Sequence, residues 1–346
     1  MKAKRIGIAL ALALTLGTGT LFAQIPSFAQ VQTDFGQFAD DIATTLPAAS
    51  TIGLNWSSAY IGQLPHFGIG LATGFLMAPT TGLSALAGDF GMTSLTSALG
   101  GYSGLIGVPI PAAVVEARIG GIFLPFDVGI KVGFIPTQAN LGNFLPAGMN
   151  LNFHLYGIDV RYPLVKEGLL KPAVSVGLGF NHFDGYFSSP IGSGYTIGSV
   201  HFPDGSTHSM GFSAPDALFK WNSNAIDATV QVSKSILYIL TPYIGFGATY
   251  GISQAGGGIN SSMTLDGSAM TAQQARYIEQ YYAATGQTIS VDPTQGFSIL
   301  KNANGFSFRV YGGTSLNLWV FKVDVDGIYN ISSGKLGLNI GSRLQF

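Results

Sequence analysis

The feature that most constrains this chain is a period-two alternation that charged residues do not cross. Around residue 116, Val115, Ala117 and Ile119 occupy one phase, while Val114, Glu116, Arg118 and Gly120 occupy the other. Past Leu124-Pro125, Phe126, Val128, Ile130, Val132 and Phe134 oppose Asp127, Gly129, Lys131 and Gly133. Tyr156, Ile158, Val160 and Tyr162 then face away from Gly157, Asp159 and Arg161, and Val174, Val176, Leu178 and Phe180 from Ser175, Gly177, Gly179 and Asn181. In the later segments Ala225–Ser233, Pro242–Ile252, Phe306–Thr314 and Trp319–Tyr329, Asp227, Arg309, Lys322, Asp324 and Asp326 again oppose the apolar phase. Two residues is the repeat of a strand. A Lys or Arg facing lipid at the bilayer midplane costs roughly 2 to 4 kcal/mol, so burial in a membrane would enforce this sorting.

The last segment, Lys335 to Phe346, repeats it: Leu336, Leu338, Ile340, Leu344 and Phe346 lie opposite Gly337, Asn339, Gly341, Arg343 and Gln345. Only 10% of the residues are charged, 48 are glycine, and mean hydropathy is +0.37. Beyond the first two dozen residues, no apolar run approaches the ~18 residues of a spanning helix. Apolar character delivered in alternation predicts an all-β fold, a transmembrane antiparallel up-and-down β-barrel. Connections support it, because short ones (63–65, 124–125, 163–170, 234–241, 315–318) alternate with long ones (78–111, 137–149, 184–224, 253–305), as turns and external loops do. A soluble sandwich or solenoid would have to explain that alternation otherwise. Counting Ile52–Gly62 and His66–Met77 gives eleven strands. A single-chain barrel wants an even number, so the expectation is about 12, within 10 to 14.

The apolar phase should then meet lipid and the other phase the lumen. Lumen-facing charges are expected at Glu116, Arg118, Asp127, Lys131, Asp159, Arg161, Asp227, Arg309, Lys322, Asp324 and Arg343. With both signs in one interior they read either as a salt-bridge ladder filling a narrow barrel or as a polar constriction. Across the hairpin turn, Glu116 should reach Lys131, and Arg118 should face Asp127 or Asp159.

Lys2, Lys4 and Arg5 precede an apolar run from Ile6 to about Leu21, and Ser27-Phe28-Ala29 offers a small-x-small site, so residues 1–29 read as a cleaved signal peptide. Removing them leaves 13 basic against 17 acidic residues, a net charge of about -4, and no basic field for nucleic acid. Residues 30–51 contain helical spacing at Phe35, Phe38, Ile42 and Leu46, which predicts a helix over 34–50 with Pro47 as its stop. Two roles are open to it, a leader at the rim or a plug in the lumen of a barrel built from 52–346. Further helices are expected near Ser84–Leu99 and after the Thr271/Gln274 capping box, and an external hairpin around Pro203-Asp204-Gly205.

The sequence offers no catalytic, cofactor-binding or metal-ligating motif. It has no cysteine. His66, His154, His182, His201 and His208 show no metal spacing. Gly101-Tyr102-Ser103-Gly104-Leu105 lacks the last glycine of a nucleophile elbow, and Ala255-Gly256-Gly257-Gly258 lacks the lysine of a phosphate loop. The expected function is passage of small molecules, hydrophobic ones included; the alternatives are an adhesin-like surface barrel and, least favoured, a hydrolase at the rim.

The closing segment resembles the terminal strand of bacterial outer-membrane β-barrels. That resemblance implies that Leu344 and Phe346 form an assembly signal read by the barrel assembly machinery, with outer-membrane lipid as the other partner. The leader helix, the PHFGIGLATGF segment at Pro65–Phe75 and the long loops resemble FadL-like transport barrels for hydrophobic substrates and related outer-membrane proteins. A small hydrophobic solute is the partner this implies, with location in the outer membrane; no binding residues carry over.

Overall fold

The computed structural model describes residues 28–59, 66–89, 107–120, 125–134, 150–190, 194–202, 204–213, 216–284 and 294–346. The signal peptide read over 1–29 therefore lies almost wholly outside the described residues. Ten strands form the wall: β1 (His66–Ala78), β2 (Val108–Gly120), β3 (Asp127–Phe134), β4 (Asn150–Val165), β5 (Ala173–Pro190), β8 (Asp216–Ser233), β9 (Leu240–Leu265), β11 (Thr294–Leu318), β12 (Phe321–Asn330) and β13 (Lys335–Gln345). Neighbours pair antiparallel in chain order, and β13 pairs back onto β1, so the sheet closes. Ten is the low end of the expected range.

The strand that drops out is the one expected over Ile52–Gly62, of which residues 60–62 lie outside the described residues. Residues 52–59 are irregular; Gly53 and Leu54 both have positive φ (85° and 64°), which breaks an extended run. Removing that strand makes the count even. Several strands are longer than their alternation suggested: β5 and β8 stay paired through Pro190 and Asp216, and β9 and β11 through Ser262 and Thr294. Much of what read as external loop is thus wall extended past the apolar band.

Outside the wall, β6 (Tyr195–His201) and β7 (Thr207–Phe212) form the expected hairpin, and β7 pairs with the far end of β9. Beside it, β10 (Ser268–Ala269) precedes the helix Ala272–Ala284. Its N-terminus carries the expected capping box, Thr271 N to Gln274 Oε1 at 2.8 Å and Gln274 N to Thr271 Oγ1 at 3.2 Å. This external layer has a small core of Val200, Met263, Leu265, Met270, Ala275 and Ile278.

Helix α1 runs Phe28–Ala49, starting earlier than its spacing implied and passing through Pro47. Proline sits there in the last turn, where it removes a single intrahelical bond. Its ring lies where a Cβ on Gly251 of β9 would be, so the glycine permits the close approach of helix to wall. Helix α2 (Thr81–Asp89) packs on α1 and starts before the expected Ser84; residues 90–99 of that expectation lie outside the described residues.

Candidate functional site

On the outer surface the apolar phase is bare. Ile130 and Val132 on β3, Ile158 and Val160 on β4, Leu178 and Phe180 on β5, Ile244 and Phe246 on β9 and Ile340 and Leu344 on β13 are all exposed. An apolar band continued around the wall would not persist in water, whereas lipid tails would cover it. The chain is a β-barrel of the outer-membrane type.

Inside, Glu116, Arg118, Asp127, Lys131, Arg161, Asp227, Arg309, Asp324 and Arg343 are buried, and Asp159 and Lys322 half-buried. The structure draws most of them into three clusters, those of Arg118 and Arg343 near the end of the barrel that carries the short turns and that of Arg309 farther along the lumen. Arg118 donates to Asp127 Oδ1 (2.5 Å) and to Asp159 (2.7 and 2.8 Å). Arg161 clamps the same Asp127 through both carboxylate oxygens (2.9 and 2.8 Å). Arg309 does likewise to Asp227 (2.6 and 2.7 Å), with Thr249 completing the group at 2.8 Å. Arg343 pairs with Asp324. Lys322 lies cross-strand from Arg343 and joins no ion pair described.

The expected Glu116–Lys131 ion pair does not close. The two residues are direct cross-strand neighbours, but each is taken by the segment that follows α1. Lys131 Nζ donates to the carbonyls of Ser50 and Ile52, both at 2.7 Å. The Glu116 carboxylate accepts from Leu54 N and Trp56 Nε1, both at 2.5 Å. A buried charge can be satisfied by several fixed dipoles through charge-assisted hydrogen bonds, and the bare backbone of an irregular segment needs such partners.

The same segment is held from other sides of the wall. Arg118 Nη2 donates to Leu54 O (3.3 Å), Arg161 Nη1 to Ser58 O (2.8 Å), Gln231 Nε2 to Trp56 O (2.8 Å), Tyr243 Oη to Asn55 O (3.1 Å) and Arg343 Nη2 to Ser57 Oγ (3.2 Å). Ala59 N donates to Ser233 Oγ at 3.0 Å. Strands β2, β3, β4, β8, β9 and β13 all reach it, so residues 50–59 run through the lumen. Two guanidinium groups lie over the Trp56 ring, Arg343 at 4.7 Å and Arg118 at 5.7 Å from its centre. A cavity of about 30 Å³ remains between Thr51–Asn55 and the wall at Lys131, Asp159, Arg161 and Gln231. That is room for about two waters.

Toward the other end, where the long connections lie, the packing around α1 is mainly apolar, with Ser223, Ser253, Ser307 and Asn330 also buried. Phe38, Ile42 and Leu46 of α1 pack with Leu76, Ile110, Val114, Phe153, Leu155, Phe183 and Phe219, and the Phe38 and Phe219 rings are 5.1 Å apart. Asp41, buried on α1, accepts from Gly82 N of α2 at 2.9 Å. Strand-period reasoning found the wall charges but missed the residues that answer them, Trp56 above all. Its apolar character had suggested a strand position, and nothing local distinguishes a tryptophan in a wall from one in the lumen.

The external layer holds one further polar cluster. Ser206 Oγ lies 2.8 Å from His208 Nε2, His208 Nδ1 lies 2.5 Å from Asp266 Oδ2, and Asp266 Oδ1 accepts from Ser209 N at 2.8 Å. Ser206 Oγ is also 2.6 Å from Asp204 Oδ1. These hydrogen bonds hold the carboxyls of Asp204 and Asp266 below the usual carboxylate value. His154 and His182 bracket Asp184 on the outer face, at 3.2 and 3.1 Å. Among the described residues no group of His and carboxylates is arranged to hold a metal.

No protein-family model and no curated protein matches the chain. Among solved structures it is similar to the outer membrane protease OmpT from Escherichia coli (9% identity over 84% of this chain and 100% of that one, TM-score 0.36). It is also similar to the Ralstonia pickettii toluene transporter TbuX (10%, 94% and 100%, TM-score 0.27) and to the CymD monoaromatic hydrocarbon channel (7%, 86% and 91%, TM-score 0.23). Likenesses this slight carry no argument about function.

Proposed function

We propose that the protein is an outer-membrane pore for small molecules, hydrophobic ones included, held shut by its own N-terminal segment. One observation carries this reading: residues 50–59 occupy the lumen through hydrogen bonds to inward charges on many strands. A barrel filled only for stability could use apolar side chains of its own, whereas a removable occupant calls for a wall with partners for it. The apolar end of the lumen suits a hydrophobic solute. Export by a cleaved signal peptide over 1–29 and insertion by the assembly machinery belong to the same proposal.

Planar-bilayer recordings test it. Full-length protein should be silent, and a variant lacking residues 34–59 should open discrete conductance steps; silence in both would favour a structural barrel. For that second reading, the external layer with its own core speaks in favour, since a folded surface module suits adhesion.

Catalysis is not part of the proposal, although Ser206, His208 and Asp266 stand at triad distances. A hydroxyl has one proton, and beside the acceptor-only Asp204 at 2.6 Å that proton belongs to the carboxylate. His208 Nε2 then faces a hydroxyl whose proton Asp204 already engages. The neighbouring amides are engaged too, Gly205 N with Phe202 O and Ser206 N with Asp204 Oδ1, which leaves neither for an oxyanion.

Leu344 and Phe346 are proposed as the assembly signal. Both are exposed on the outward phase, and Phe346 is anchored at the seam by its N–H to Phe67 O (2.9 Å) and by ring stacking on Phe67 at 5.0 Å. Replacing both with Asp should reduce membrane-inserted protein far more than Gln345→Asp. Equal losses, read by heat-modifiable gel mobility, would refute the role.

A further inference from the structure

Three adjoining turns at the short-turn end of the barrel carry large apolar side chains into the open. Between β4 and β5, Leu169 and Leu170 are 95% and 90% exposed; between β8 and β9, Leu237 and Tyr238 are 81% and 92% exposed; between β11 and β12, Trp319 is 92% exposed. The turns are tied to one another. Glu167 accepts from Ser235 N at 2.8 Å and from Lys234 Nζ at 3.3 Å, and Asn317 N donates to Ile239 O at 2.7 Å.

Local backbone chemistry gives no reason for these side chains. Leu237, Tyr238 and Trp319 have φ of 50°, 61° and 60°, the left-handed region that Gly, Asn or Asp would adopt with less strain. A turn projecting into water would gain nothing from Leu, Tyr or Trp there. The patch is continuous with the lipid-facing phase through Leu164, Ile236 and Leu318, all exposed. Trp and Tyr are the residues suited to a membrane-water interface. Lys166 and Lys171 flank Leu169-Leu170, are exposed, and join no ion pair among the described residues.

We propose that these three turns are seated in the headgroup region of the leaflet on that side and take up anionic phospholipid. The aromatic and leucine tips enter the lipid interface, and Lys166 and Lys171 meet the phosphates above them. The barrel is thereby held deeper on its β4-to-β12 side. This rests on the membrane-barrel reading of the fold.

The test uses the full-length protein in vesicles of brominated phosphatidylcholine or brominated phosphatidylglycerol, comparing wild type with Trp319→Phe. Trp56 is buried and Trp221 half-buried inside the barrel, so the difference in emission reports Trp319. The expected result is loss of most Trp319 emission to lipid bromine, more in phosphatidylglycerol than in phosphatidylcholine, with little quenching by aqueous acrylamide. Lys166→Gln with Lys171→Gln should remove the difference between the two lipids. Acrylamide quenching without bromine quenching would overturn the proposal, as would protection that grows with the protein-to-lipid ratio, which would mark a second copy as the occupant. Bromine quenching equal in both lipids would overturn the anionic preference. Failure to insert, seen as no heat-modifiable species, would instead overturn the membrane reading beneath it.

Discussion

The two ends of the lumen hold the same N-terminal segment by different physics. At the loop end, α1 is held by aromatic and aliphatic packing, which is strong in sum but weakly directional. At the turn end, residues 50–59 are held by buried charges whose hydrogen bonds demand particular backbone atoms. Packing of the first kind tolerates a helix that shifts; bonding of the second kind either fits or fails. The difference teaches that the closing element in such a lumen is the polar stretch, and the apolar helix is its anchor.

The largest expected effect tests the charged end. Arg118→Met leaves Asp127 and Asp159 short of a partner beside Leu54, and breaking a buried pair from one side costs about 3–5 kcal/mol. Urea unfolding of the vesicle-bound protein measures it; a loss too small to detect would mean that the Arg118 cluster is loosely hydrated.

Next come two substitutions that set the ends against each other. Phe38→Ala removes the ring packed on Phe219 and should lower stability by about 3 kcal/mol, yet leave conductance closed because residues 50–59 stay bound. Glu116→Gln weakens the acceptor for Leu54 N and Trp56 Nε1, with a smaller loss of about 1.5–3 kcal/mol, yet should produce openings. If Phe38→Ala opens the pore and Glu116→Gln does not, the assignment of anchor and closure is reversed.

The smallest effect belongs to the external layer. Asp266 has its carboxyl held below the usual value by His208 and Ser209. A depressed carboxyl contributes stability that is complete above its unfolded value and lost as pH falls through the lower folded value. Acidification through that window should lower the protection factor of the Ser209 amide, and Asp266→Asn should make the protection independent of pH there. Retention of the pH response in that variant would assign it elsewhere.

Much of the wall was legible because lipid enforces a local rule. Each residue of β2, β3 or β13 faces lipid or lumen by parity alone, so Glu116, Arg118, Lys131 and Arg343 could be placed without knowing the strand order. Where the two environments stop differing, parity says nothing. Above the apolar band β5, β8, β9 and β11 are wet outside, their alternation fades, and they read as loops.

By itself the sequence determined the barrel class, the phase of the wall, the capped external helix and the β6–β7 hairpin, all consequences of spacing within a few residues. Tertiary structure alone decided that Ile52–Ala59 is no strand, that the wall closes with ten, and that Lys131 and Glu116 bond residues 50–56 in place of each other. Those outcomes depend on which groups meet across the lumen, between residues distant in the chain. A backbone without a partner in its own segment takes whichever buried charge the closed wall brings to it.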